Sequence, residues 1–199
     1  MPQKKINVWF GAEAKAISAI DNARASCNWE LLAKEIDKLL GARLQKAKAA
    51  RNGKRVRLVQ CREEAELIRE GGRYLVQPPL VARDAALLDN ALKMSGNSSI
   101  IACQEPITSL GFCPIVALGS GVTVRVQVEE PKNPTKPTCA WFDYALEELG
   151  NHVLEQLDKI STDQRQLDYL LAHFPAIPTH VGAYRAAIQR CTTLARPSV

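Results

Sequence analysis

Long apolar runs are missing from this chain. No window approaches the ~18 consecutive apolar residues of a membrane-spanning helix, and Met1 is followed by Pro2-Gln3-Lys4-Lys5 rather than by a leader's apolar stretch, so a soluble, cytoplasmic protein is expected. Histidine is scarce. The three, at 152, 173 and 180, all fall late in the chain, and His173 and His180 are separated by Pro175 and Pro178 with no cysteine at zinc spacing, so no metal and no cofactor is expected. The six cysteines are scattered without a CxxC pair, which reads as reduced, buried small side chains rather than a disulfide framework. Motifs that carry reactions are missing too. There is no Walker loop and no GxGxxG, and Gly119-Ser120-Gly121 lies between two strand-like runs rather than in the strand-to-helix elbow of a serine nucleophile.

Disorder is excluded in turn. At 46% hydrophobic and 24% charged, a chain of 199 residues has enough apolar surface to bury a full core. Its best-specified stretch runs from Lys54 to Gln104. Val56 to Gln60, Tyr74 to Gln77 and Ser99 to Gln104 are short, β-branched or aromatic, and bounded by Gly, Asn or Pro, as strands are. Between the first two, Arg62 to Glu70 has acids leading and Gly71-Gly72 behind, which predicts a short helix. Between the second and third, Asp84 to Met94 carries Leu87, Leu88, Ala91 and Leu92 on one stripe, which predicts another. Strands alternating with helices make βαβ units and parallel pairing.

The remaining chain adds helices at both ends. Ile6 to Phe10 reads as a first strand stopped by Gly11, and Ala12 to Ala25 as an Ala-rich helix with a narrow apolar face. Asn28 is a good N-cap for the strongest helix signal, in which Trp29, Leu32, Ile36, Leu39, Leu40 and Leu44 recur at three and four before the pattern fades toward Arg51. Ile115 to Leu118 and the alternating Val122 to Glu129 predict a β-hairpin. Pro131 to Thr138 has three prolines in eight residues and forms a linker. Beyond it, a helix is expected from Trp141 to Ile160, then one capped by Ser161 with Gln164, then one capped by Thr179. The reading is therefore α/β: a mixed, mostly parallel sheet with flanking helices, a hairpin and a C-terminal helical tail. Its expected division is a core over 1–130, a linker over 131–138 and a helical subdomain over 139–199 packed on the core.

Acids are absent from one window, and this carries the functional argument. From Lys38 to Arg62 there are nine basic residues and no carboxylate, whereas Asp143 to Asp168 holds seven acids against Lys159 and Arg165. Cations near a helix C-terminus complement its dipole, which explains Lys46, Lys48 and Arg51 but not Arg55 and Arg57 in the following strand. Such a field favours a polyanion. The leading expectation is a non-catalytic nucleic-acid-binding or assembly subunit, RNA-binding or DNA-binding, that contacts phosphates through Lys46, Lys48, Arg51, Lys54, Arg55 and Arg57 beside other protein subunits. Against it, the window has no interleaved aromatics for base stacking.

A second class stays open. All three central runs end in glutamine, so Gln60, Gln77 and Gln104, with Arg62 and Glu105, would line a polar crevice at the strand C-termini of a small ligand-binding domain or enzyme. Chance recurrence of a tolerable strand-end residue is the plain alternative. A Cys103–His173 pair and a Glu105–Asp84 pair are the weakest chemical candidates. A third class, a protein-interaction module, predicts an apolar patch on the tail helices.

Overall fold

The computed structural model describes the backbone of residues 2–196 and the side chains of residues 8–196. In chain order the elements are α1 (Pro2–Ala25), α2 (Trp29–Ala50), β1 (Val56–Val59), α3 (Arg62–Leu67), β2 (Gly72–Val76), α4 (Ala82–Met94), β3 (Ser99–Gln104), β4 (Phe112–Leu118), β5 (Thr123–Glu129), α5 (Cys139–Glu155), a 3-10 turn (Leu157–Lys159), α6 (Asp163–His173) and α7 (Val181–Leu194). Among the described residues no helix is long and apolar enough to cross a membrane.

The strands form one sheet in the order β1-β2-β3-β4-β5, parallel through β1, β2 and β3 and antiparallel from β3 to β5. The crossover helices α3 and α4 lie on the same face of the sheet. There Val59, Tyr74, Val76 and Cys103 pack with Leu88 and Leu92 of α4 and Ala65 of α3. The alternate residues Leu75, Ala102, Ile115, Val124 and Val126 point the other way, into a larger core with α1, α2 and α5 to α7. The α/β reading holds, with helices on both faces. The tail helices share that larger core: Phe142, Leu149, Leu167 and Leu170 are fully buried in it.

Helix α2 is the centre of the large core. Asn28 caps it by accepting from the Leu31 amide at 3.1 Å, as its side chain suggests. Leu32, Ile36 and Leu39 then face inward with almost no exposure, and truncating such a side chain to alanine costs on the order of 2–5 kcal/mol. The stripe does not fade as its leucines do. Ala47 and Ala50 stay buried, because small residues let neighbouring backbone come close.

Several expected boundaries are corrected. Ile6 to Phe10 is not a strand but part of α1, and Gly11 lies within that helix. Phe10, Glu13, Ala16, Ile20 and Ala23 recur at three and four, so the short apolar run joins a helical stripe, and packing along α2 overrides its β-propensity. Helix α3 stops at Leu67, since Ile68 is already extended with ψ 122. The Trp141 to Ile160 helix ends at Glu155 and continues only as the 3-10 turn. The cap of α6 is Thr162, accepting from Arg165 N at 3.3 Å, rather than Ser161. The cap of α7 is His180 rather than Thr179.

His180 caps through Nδ1, which accepts from the Ala183 amide at 3.2 Å, so its proton sits on Nε2, 3.2 Å from Glu147 Oε1 and 3.3 Å from Asn151 Oδ1. Burial pushes this imidazole below its ordinary value, with Glu147 opposing. The ring fits only because residue 150 of α5 is glycine: a Cβ there would lie 2.0 Å from His180 Cγ. Gly150→Ala is expected to cost about 3 kcal/mol, the overlap plus the lost cap, despite the better helix propensity of alanine. Urea unfolding followed by circular dichroism measures it, and an unchanged midpoint would show that the ring has room to move.

Candidate functional site

The sheet comes apart at one seam. The β3–β4 ladder contains only Cys103↔Val116 and Gln104↔Ile115, extended by one bond from Glu105 N–H to Pro114 C=O at 2.9 Å. In β3 the odd-numbered residues turn their backbone groups toward β4, because Gly72 takes the Ser98 carbonyl on the β2 side. The next hydrogen-bonding pair would be Ile101 with Leu118, and it does not close. Pro114 weakens the other end of the seam, since it has no N–H to give the Glu105 carbonyl. The strands therefore splay toward the start of β3 and the Gly119-Ser120-Gly121 turn, whose Gly121 has φ +81.

A cavity of about 340 Å³ occupies the splay, within the size range of small ligand sites. Ser99, Ile101 and Leu118 line it from the two strands, Asp89 and Lys93 from α4, and Thr179 from the loop before α7. A further part of its wall is Glu13 of α1 with Arg43 and Lys46 of α2. These three are brought together from distant segments. Arg43 Nε donates to Glu13 Oε1 at 2.8 Å, and Lys46 Nζ donates to Glu13 Oε2. Arg43 Nη1 also donates to the Phe174 carbonyl at 2.8 Å and to the Tyr184 hydroxyl, and Tyr184 donates to the Pro178 carbonyl at 3.2 Å. Lys46 Nζ lies 4.2 Å from the centre of the Phe10 ring.

The side chains of Arg43, Lys46 and Glu13 are only 7%, 10% and 15% exposed, so two cations share one carboxylate with little water to help. Burial alone would raise the Glu13 carboxyl, but Lys46 and Arg43 outweigh it and hold it below the ordinary value. Burial lowers the Lys46 ammonium below its ordinary value, and Glu13 only partly opposes this. The Tyr184 phenol is pushed up to about 12 by burial, against the pull of Arg43, and stays protonated. Across the cavity, Lys93 pairs with Asp89, which also accepts from Ser99 Oγ at 3.0 Å. The lining cations outnumber the lining carboxylates by one, three against two.

The six cations read from the acid-free window separate on folding. Lys46 is buried in this cluster. Arg51 meets Asp143 of α5 at 3.3 Å, a carboxylate shared with Arg73, and Arg57 meets Glu70 at 2.7 Å. Lys48, Lys54 and Arg55 are exposed and without an ion-pair partner among the described residues. Arg55 and Arg57 nevertheless share a shallow depression with Glu63, Glu64 and Glu70.

The glutamines do come together. Gln60 Nε2 donates to Gln77 Oε1 at 3.0 Å, and Gln77 Nε2 donates to Gln104 Oε1 at 2.8 Å, a ladder across β1, β2 and β3 with Gln77 and Gln104 buried. Gln77 spends both of its groups in this ladder, which ends on Gln60 Oε1 and Gln104 Nε2. Arg62 turns instead to Asp84 at 3.3 Å, and Glu105 to Arg125 at 2.7 Å, so neither carboxylate is paired with the other. Cys103 lies in the core beneath α4 while His173 belongs to α6 on the other side of the sheet, and burial pushes the thiol up to about 12. The large apolar side chains left exposed include Leu67, Leu87, Met94 and Leu110 on α3, α4 and the β3–β4 loop, whereas the tail helices contribute Tyr144.

Glu13 went unread in the sequence, although it falls in register with the Phe10-Ala16-Ile20-Ala23 stripe, where a carboxylate calls for a buried cation. Glu13→Gln is expected to cost about 3–5 kcal/mol by stranding two buried cations. The sign with pH follows from its lowered value: the carboxylate's contribution is complete above the unfolded value of 4.5 and is lost as pH falls through the folded one. Denaturation midpoints across that acid range should therefore fall for the native chain and flatten for Glu13→Gln; equal slopes would count against the cluster. No protein-family model, curated protein or solved structure matches this chain, so its functional reading rests on these residues alone.

Proposed function

We propose that the chain is a small-ligand-binding domain whose site is the opening between β3 and β4 and whose ligand is a small anion. One observation carries the reading: Arg43 and Lys46 share a single carboxylate in the wall of a cavity. A buried cation that lacks a full counter-charge is costly, and a bound anion supplies the missing one where screening is weak. The three glutamines, by contrast, carry no charge and spend Gln77 wholly on its neighbours. The lining hydroxyl that is bonded to a carboxylate is Ser99, and its partner Asp89 is held by Lys93 rather than poised as a base, which favours binding over catalysis.

The test is thermal denaturation at rising acetate or inorganic phosphate. Binding to the folded state alone adds about 2.7 kcal/mol at a hundredfold excess over Kd, visible as a rise in Tm. Lys46→Met keeps the buried stem and leaves Arg43 with its carboxylate, so it should fold and lose the rise. No anion-dependent rise in the native chain, or an equal one in Lys46→Met, would defeat the proposal.

A second reading, nucleic-acid binding, is favoured by the exposed Lys48, Lys54 and Arg55. It is narrower than six phosphate contacts. With three, the affinity for duplex DNA should follow salt with a log–log slope of about −3. Anisotropy of a labelled oligonucleotide should show binding that Lys54→Glu with Arg55→Glu abolishes; no binding at low salt removes this reading.

A further inference from the structure

The unclosed seam and the buried cations lie on one cavity, and together they specify more than a charge. Ile101 and Leu118 would form the next hydrogen-bonding pair after Cys103↔Val116, and their backbone groups face the splay without forming the ladder pair. A carbonyl and an amide left open at a strand edge are complementary to another peptide unit, as in strand addition. The side chains around them, Ile100, Val116, Ala117 and Leu118, are apolar. Arg43 and Lys46 supply the charge at the wall. We propose, resting on the small-anion reading, that the ligand is a short extended peptide with small apolar side chains and a free C-terminal carboxylate. Its last carboxylate faces Lys46 and Arg43, and one peptide unit accepts from the Leu118 amide and donates to the Ile101 carbonyl.

This arrangement explains why the seam is open. Closing Ile101 on Leu118 would satisfy the strands and erase the cavity, whereas a bound peptide satisfies the same groups and also the spare cation. The cavity holds only a few residues, so the ligand is a chain end rather than an internal segment, which could not present a carboxylate to Lys46.

Titration calorimetry on the whole chain tests it with four probes: acetate, tri-alanine, tri-alanine amide, and tri-alanine N-methylated at its peptide nitrogens. Tri-alanine should bind at least tenfold more tightly than acetate, about 1.4 kcal/mol, and capping the carboxylate or methylating the nitrogens should each cost tenfold or more. Hydrogen exchange at the Leu118 amide should slow when tri-alanine is bound. Acetate binding that depends on Lys46 with no gain for tri-alanine would overturn the peptide assignment while leaving the small-anion reading intact. Binding of no probe would remove both. Tri-alanine that binds equally well as its amide, or leaves Leu118 exchange unchanged, would also overturn the assignment.

Discussion

The carboxylate of Glu13 is the point on which the helical layer turns. It reaches from α1 to two cations of α2, and one of these passes the connection to the Tyr184 hydroxyl of α7 and to the carbonyl of Phe174. Three helices are thereby fixed at one place by groups that would each be costly to bury alone. The stacked rings of Phe174 and Tyr184, with centroids 3.9 Å apart, close the cluster on its inner side. The outer side is the cavity. A polar cluster that is nearly neutral serves structure; one with a spare cation and open space beside it suits an anion.

The sheet contributes the other half of the site through what it fails to pair. A parallel β1-β2-β3 unit and an antiparallel β4-β5 hairpin are each regular, with seven register pairs in the hairpin. They are joined by a ladder of two pairs. Pro114 removes a donor at one end of that junction and Ile101 does not close on Leu118 at the other, so the two units meet along a short contact. The opening falls at the amino end of β3, whereas ligand crevices of open parallel sheets lie beyond the carboxyl ends. That expectation depends on a reversal of strand order, and the order here runs without reversal. At the carboxyl ends the three glutamines bond to one another instead.

Charge in this protein is organised across the chain rather than along it. The window from Lys38 to Arg62 has no acid in sequence, yet most of its cations find one in space: Glu13 comes from α1, Glu70 from the end of the first crossover and Asp143 from α5. Paired surface charges contribute little to stability, but they reduce the field available to a polyanion. Of that window, the exposed cations without an ion-pair partner among the described residues, Lys48, Lys54 and Arg55, lie about the α2–β1 connection.

Much of the architecture was legible from residues alone. Alternation in the strands and recurrence at three and four in α2 express burial directly, so the βαβ units, the hairpin, the tail helices and the Asn28 cap follow from local pattern. Helix ends were less legible, because Ser161 and Thr162, or Thr179 and His180, compete within one residue and the winner is set by how each helix packs. The site was not legible: its carboxylate is 30 residues or more from its cations, and the Tyr184 hydroxyl lies 141 residues from Arg43. Sequence by itself determined most of the strands and helices, since these depend on neighbours along the chain; Ile6 to Phe10, drawn into α1 by packing along α2, is the exception. Tertiary structure alone decided which charges cancel and where the sheet stays open, since ion pairing and strand pairing depend on distances in space that no local pattern encodes.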